Sequence, residues 1–262
     1  MPQASSKPYS AAKMLRRYLS YCFSAGSKNE LQSPTLSEFA EEIIPYAKKI
    51  KYKAAEKERQ RLKASKQILD FVDYGKSGVL LKKAVADIAK RSLKPPKYAK
   101  LLSKIVAHQQ AKSVLELGTS LGITTAYLAR NEQTKVTTLE GDPSVAKIAA
   151  SVWNHLGHTN IKSIVGPFEK TIDQTLQNKY DVIYIDGNHR LLPTLRYFDQ
   201  LQEASHKKTL FIFDDIHYSE EMEEAWKAIK QHPTVSSTID LFFIGIVYID
   251  PSLPKQHITL KY

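Results

Sequence analysis

Three aspartates and two histidines stand where two apolar runs of this 262-residue chain end. Asp186 closes the run Val182-Ile183-Tyr184-Ile185, and His189 follows three residues later. Asp214 and Asp215 close a second run, Leu210-Phe211-Ile212-Phe213, with His217 just beyond. Both runs read as buried strands, and residues that follow parallel strands collect at one edge of a sheet. Carboxylates gathered there repel one another unless a proton, hydrogen-bond donors or a cation compensates, and hard oxygen donors suit Mg²⁺. An imidazole at the same edge can take up a proton near neutral pH.

A second group of residues offers a place for a ligand. Gly118-Thr119-Ser120-Leu121-Gly122 lies between an apolar run at residues 113–117 and a helical pattern at residues 123–130. Glycines let the backbone approach a bound group, and the helix that follows presents free amides. The next run, residues 135–140, ends in Glu140, 22 residues after Gly118, where an acid can accept hydrogen bonds from both hydroxyls of a ribose. Asp142-Pro143 has a different explanation: an N-cap followed by proline at the first helical position, so Asp142 stays outside the site. The loop does not repeat Gly-x-Gly-x-x-Gly, which sets it apart from a nicotinamide-dinucleotide fingerprint.

The elements that must position these residues follow from periodicity. Runs at residues 113–117, 135–140, 161–165, 181–186 and 209–214 alternate with helical stretches, the pattern of βαβ units around a mostly parallel sheet. Residues 235–241 and 243–249 are too close for a helical crossover and pair as an antiparallel hairpin. The expected fold is therefore α/β, a doubly wound, mostly parallel, seven-stranded Rossmann-like sheet that ends in this hairpin. Before residue 112 no strand is evident. Residues 10–24 place Ala11, Leu15, Tyr18, Leu19 and Cys22 on one helical stripe with Lys13, Arg16 and Arg17 turned away from most of it, residues 36–44 resume a helix up to Pro45, and residues 51–66 are polar nearly all round, as an exposed helix would be. A loop at residues 73–78 precedes two helices at residues 79–91 and 97–109. We expect a basic helical extension or lid over residues 1–90 and a catalytic domain over residues 91–262.

Val114-Leu115-Glu116-Leu117-Gly118-Thr119-Ser120-Leu121-Gly122 resembles the first motif of class I S-adenosylmethionine-dependent methyltransferases, in particular the catechol and caffeoyl-CoA O-methyltransferase-like branch. The resemblance spans about residues 92–250. It implies that the turn through Gly118, Thr119, Ser120, Gly122, Ile123 and Thr124 holds the methionine part of S-adenosylmethionine, that Glu140 binds its ribose, that Gly166-Pro167-Phe168 borders the adenine, and that Glu116 orients the amino group. It also implies that Asp186 contacts the cofactor and, with Asp214 and Asp215, ligates Mg²⁺ or another divalent ion; Asp215 stands where the branch usually has asparagine. His189 is then the candidate general base beside Asp186, and His217 a weaker substrate contact. The remaining histidines, His108, His155, His158, His206, His232 and His257, read as surface or packing residues without partners, and Tyr184 and Trp226 as packing.

Composition narrows the classes further. The net charge is +11, but residues 1–112 hold 24 Lys+Arg against 9 Asp+Glu, whereas residues 113–262 hold 14 against 18. Such a basic front suits an acidic partner or solvent. The longest apolar run, residues 241–249, is only nine residues, so no membrane span is expected. A single cysteine, Cys22, excludes a disulfide framework, and the expected compartment is cytoplasmic. The preferred function is O-methylation of a small hydroxylated acceptor. A second reading is an RNA methyltransferase, acting on tRNA or rRNA, that uses the basic N-terminal region, and a third is a non-catalytic cofactor-binding protein. The resemblance also suggests a homodimer.

Overall fold

The structure, a computed structural model, describes residues 7–26, 31, 33–74 and 79–262. The chain divides into two compact units, Ile43–Asp181 and Met1–Glu42 with Val182–Tyr262. The boundary expected between residues 90 and 91 lies within the first of these.

In the unit Ile43–Asp181, the helices are α3 (Ile44–Ala47), α4 (Lys53–Lys63), α5 (Val85–Ser92), α6 (Pro96–His108), α7 (Ile123–Leu128), α8 (Pro143–Leu156) and α9 (Phe168–Thr171). Its strands are β1 (Ile68–Asp73), β2 (Val79–Ala84), β3 (Ser113–Leu117), β4 (Lys135–Glu140) and β5 (Ile161–Val165). In the other unit lie α1 (Ala11–Ser24), α2 (Pro34–Glu38), α10 (Leu191–Leu201), α11 (Glu220–Gln231), and strands β6 (Val182–Ile185), β7 (Leu210–Asp214), β8 (Ser237–Asp240), β9 (Ile244–Tyr248) and β10 (Gln256–Thr259).

The main sheet has the order β10-β8-β9-β7-β6-β3-β4-β5. β3, β4 and β5 are parallel, as are β6 and β7, while β9 runs antiparallel to both β7 and β8. The doubly wound α/β fold and its terminal hairpin are thus as expected, but the sheet has eight strands rather than seven. The extra strand, β10, pairs parallel with β8, with Gln256 beside Ser237. Its short, half-polar sequence Gln-His-Ile-Thr gives no strand signal of its own, because an edge strand buries little.

A second correction lies in the N-terminal half. Residues 79–91 are not one helix: Val79–Ala84 is a strand paired antiparallel with Ile68–Asp73, and the helix begins only at Val85. Lys82-Lys83-Ala84 continues smoothly into the helical period of Val85-Ala86-Asp87, so periodicity alone misplaces the boundary. The loop expected at residues 73–78 lies mostly outside the described residues, as does most of the loop near residues 26–33.

The polar stretch before it also buries a face. Ala55, Arg59 and Leu62 of α4 are all buried, at helical spacing. Arg59 tolerates this because its guanidinium reaches Glu56 (3.0 Å) and the carbonyl of Lys94 (2.8 Å), and Glu56 in turn accepts from the Tyr127 hydroxyl (2.9 Å). In α1 the inward arc is likewise not the expected stripe. Leu15 and Leu19 are exposed, whereas Tyr21 is buried, its hydroxyl donating to the carbonyl of Leu260. Tyr18 and Tyr21 pack on Phe242, and Arg17 turns inward to pair with Glu223. Aromatic partners and a half-buried ion pair outweigh two leucines in choosing the face.

Asp142 caps α8 as expected, accepting from the amides of Ser144 and Val145, with Pro143 at the first position and Gly157 (φ 74°) ending the helix. Its second oxygen accepts from the amide of Val72, which ties β1 to the start of α8. No described helix is long and apolar enough to cross a membrane.

Candidate functional site

The unit Ile43–Asp181 holds the turn that follows β3. Gly118 (φ 100°) and Gly122 (φ 79°) lie in the left-handed region, where a side chain costs free energy. At Gly122 space is also closed: a Cβ would come within 2.7 Å of Trp153 Nε1 and 2.9 Å of Ala149 Cβ. Trp153 donates that indole N–H to the Gly122 carbonyl at 2.9 Å, so α8 fixes the turn from behind. Gly122 then begins α7, whose first residues Ile123 and Thr124 are buried.

Glu116 is fully buried beneath this turn. One of its oxygens accepts from the hydroxyls of Thr125 (2.5 Å) and Thr138 (2.7 Å), and Thr138 also meets the Thr119 hydroxyl at 2.5 Å. The carboxylate therefore braces β4, α7 and the turn. Thr125 and Thr138 carry no signal in the sequence, because small hydroxylated residues form no pattern until a buried acid gives them a partner.

Glu140 ends β4. Its Oε2 accepts from the Ser120 amide at 2.8 Å and its Oε1 from the Asp142 amide at 3.1 Å. Burial pushes its carboxyl up to about 7, against the pull of the backbone amides. Gly166 (φ 142°) donates its amide to the Glu140 carbonyl at 2.8 Å, and Pro167 then opens α9 at Phe168. The structure thus links Glu116, Thr119, Ser120, Gly122 and Glu140 by hydrogen bonds and places Gly166-Pro167-Phe168 directly after the strand that flanks β4. Ser92, unmarked in the sequence, touches the Ser120 hydroxyl at 2.8 Å.

The other unit holds the acidic edge. Asp186, His189 and Asp214 each bring a donor atom to within 4.8 Å of the others, with Asp214 buried. His189 Nε2 lies 3.6 Å from Asp186 Oδ1, and the Tyr184 hydroxyl donates to Asp186 Oδ2 at 2.8 Å. Tyr184 is buried, as expected of a packing residue, yet its hydroxyl serves the edge; the signal was its position two residues before Asp186, on the same face of the strand. Asp215 is not in this group. Its backbone is left-handed (φ 53°) and its amide donates to the Phe243 carbonyl at 2.6 Å, so the third donor beside Asp186 and Asp214 is the imidazole of His189.

His217 is placed away from that group. Its ring nitrogens meet Glu223 (3.0 Å) and Asp240 (2.8 Å), and the ring stacks on Phe242. Burial alone would lower its pKa, but the two carboxylates raise it to about 9. Trp226 is buried against the same aspartate, its indole N–H 3.2 Å from Asp240. The histidines read as partnerless are not: His158 meets the Tyr52 hydroxyl at 2.7 Å, His232 lies 3.3 Å from Asp199, and His257 meets Thr238 at 3.0 Å.

Ser120, Asn188 and Asp215, non-glycine residues with φ of 48°, 51° and 53°, follow β3, β6 and β7 respectively. Strained backbone held at strand ends by its surroundings is a mark of loops shaped for a ligand.

The sheet order and helices define a Rossmann-like α/β fold. Residues 115–216 match a family described as "Methyltransferase domain". Among curated proteins, the chain is similar to a catechol O-methyltransferase of Niastella koreensis, 30% identical over 127 residues that make up 46% of this chain and 57% of that protein. A catechol O-methyltransferase of Mycobacterium tuberculosis is 33% identical over 92 residues, 34% of this chain and 42% of that one. The chain therefore matches about half the length of these relatives. Among solved structures it resembles an O-methyltransferase from Bacillus cereus in complex with SAH, with TM-score 0.59 at 20% identity over 80% of this chain and 99% of that one. An SAH-bound methyltransferase of Podospora anserina gives TM-score 0.59 at 14% identity over 86% and 99%.

Proposed function

We propose that this chain is an S-adenosylmethionine-dependent O-methyltransferase whose acceptor is a small hydroxylated molecule. The observation that carries the reading is the Ser120–Glu140 hydrogen bond, which joins the glycine turn to the acidic end of the next strand. The turn through Gly118, Thr119, Ser120, Gly122, Ile123 and Thr124 holds the methionine part of the cofactor, Glu140 its ribose and Gly166-Pro167-Phe168 its adenine. Glu116 acts from beneath, as a brace for the loop. Residues 1–90 are a basic N-terminal extension to the catalytic domain, and the assembly is a homodimer, which sedimentation registers as twice the monomer mass.

Methyl transfer is an in-line displacement: the acceptor oxygen attacks the sulfonium methyl, the carbon–sulfur bond breaks, and the hydroxyl proton must leave. His189, whose Nε2 lies 3.6 Å from Asp186 Oδ1, receives that proton. The donor set of Asp186, Asp214 and His189 also fits a divalent cation. Two carboxylates suit Mg²⁺, while the imidazole shifts the preference toward a transition metal such as Mn²⁺ or Zn²⁺. Such an ion would lower the pKa of a bound hydroxyl and orient it. A neutral imidazole has one free lone pair, so His189 serves either as base or as third ligand.

Methyl-labelled S-adenosylmethionine incubated with the protein and either a small-molecule extract or bulk RNA, with and without a chelator, tests the reading. Label in small molecules supports it, and loss of that label with chelator assigns His189 to the cation rather than to the proton. Label in RNA alone replaces it with the RNA reading.

A further inference from the structure

We propose that the cleft between α1 and the β8–β9 turn binds a small anionic ligand, a phosphate or carboxylate group carried on an apolar, ring-sized body. This site belongs to the unit that contains α1 and is independent of the methyl-transfer reading above. The cleft has a volume of about 540 Å³, within the range of about 300–1,000 Å³ typical of small-molecule pockets.

One wall is a single face of α1. Lys13, Arg16 and Arg17 line it together with the hydroxyl-bearing Ser20 and Ser24. At 100° per residue these five positions fall within one arc of the helix, so three cations and two hydroxyls are presented in one direction. The base is aromatic: Tyr21 and Phe242 line the cleft with ring centroids 5.3 Å apart. Cations beside an aromatic floor suit a ligand with an anionic head and a flat body.

The acids near the cleft do not compete for the two outer cations. Glu223 takes Arg17, the Tyr9 hydroxyl and His217. Asp240, which lines the cleft together with His217, accepts from His217, from the Trp226 indole (3.2 Å) and from the Phe242 amide (2.8 Å). Lys13 has only the face of Tyr9, 3.9 Å from Nζ to the ring centroid, and Arg16 has no carboxylate partner among the described residues. Two cations at the mouth of a concave site, with neighbouring acids already engaged, leave charge to be met from outside. The concavity and the small number of cations favour a small molecule over a nucleic acid, whose backbone engages an extended basic surface.

The test is calorimetric titration of the full chain with phenyl phosphate, inorganic phosphate, phenol and a mixed-sequence RNA oligonucleotide. The expected result is saturable 1:1 binding of phenyl phosphate, weaker binding of inorganic phosphate and none of phenol. Lys13→Ala/Arg16→Ala should weaken phenyl phosphate binding by about tenfold or more, and Ser20→Glu should abolish it. Lys48→Ala/Lys51→Ala, which removes the same charge elsewhere, should leave it unchanged. All these side chains are outside the core, so unchanged thermal unfolding verifies the variants. Absence of saturable phenyl phosphate binding, equal weakening in the control pair, or RNA binding tighter than phenyl phosphate and lost in the same variants would each overturn the proposal.

Discussion

The amide of Ser120 donates to the carboxylate of Glu140 at 2.8 Å, joining two motifs twenty positions apart at the ends of adjacent parallel strands. The bond holds Ser120 in its left-handed conformation (φ 48°) and points the Glu140 side chain toward the turn. Glu140→Ala should weaken binding of S-adenosylhomocysteine by about ten- to a hundredfold, because a charge-assisted hydrogen bond is worth roughly 1.5–3 kcal/mol. Titration calorimetry reads this directly.

The same carboxyl makes binding pH-dependent. Its pKa is raised to about 7 in the fold, above the 4.5 of an ordinary glutamate. The protonated form is thus favoured by folding: its stabilisation is complete below pH 4.5 and is lost as pH rises through about 7. A ribose that donates hydroxyls to Glu140 favours the ionised form instead. Cofactor affinity should therefore rise between about pH 6 and 8 with release of a proton, and Glu140→Gln should flatten the profile.

Gly122→Ala combines a left-handed φ of 79° with a Cβ placed 2.7 Å from Trp153 Nε1 and 3.0 Å from the Ala149 backbone. We expect a loss of roughly 2–4 kcal/mol in denaturant unfolding. Gly157→Ala, also left-handed but with nothing within 4 Å, should cost only about 1–2 kcal/mol, the conformational part alone.

Glu116 should behave as a buried polar brace. Glu116→Ala leaves the hydroxyls of Thr125 and Thr138 without their shared acceptor and opens a cavity, and about 2–4 kcal/mol of stability should be lost. Glu116→Gln keeps an acceptor oxygen and should recover at least half of that in the same unfolding measurement.

At the acidic edge, Mn²⁺ should raise the midpoint of thermal unfolding, and a chelator should reverse the shift. Asp214→Asn should abolish the response. Tyr184→Phe, which removes the 2.8 Å hydrogen bond to Asp186, should weaken Mn²⁺ by about tenfold, as loss of an outer partner typically does. Asp215→Asn should leave it unchanged, since Asp215 is not among the clustered donors. No response to any divalent ion in the unsubstituted protein would leave His189 as the base.

How much of this was legible in the sequence depends on what signals each residue. β3, β4 and β5 begin and end where the expected runs do, and the central strands β6 and β7, buried along their whole length, are the most continuously apolar. The glycine turn and the Asp142-Pro143 cap were legible for a similar reason: their backbone geometry restricts residue type at each position. Hydrophobic runs, turn residues and caps are local, and the sequence alone determines them.

What only the tertiary structure decided are choices between local options of nearly equal free energy. Residues 79–84 could continue a helix or form a strand, and pairing with Ile68–Asp73 settles it. α1 offers a leucine stripe and an aromatic one, and Phe242 selects the second. Glu116 gains its role from two threonines that become neighbours only when β4 and α7 pack around it. His189 replaces Asp215 beside Asp186 and Asp214 because a left-handed residue and a backbone hydrogen bond at the end of β7 set Asp215 apart, and such long-range constraints leave no period in the chain.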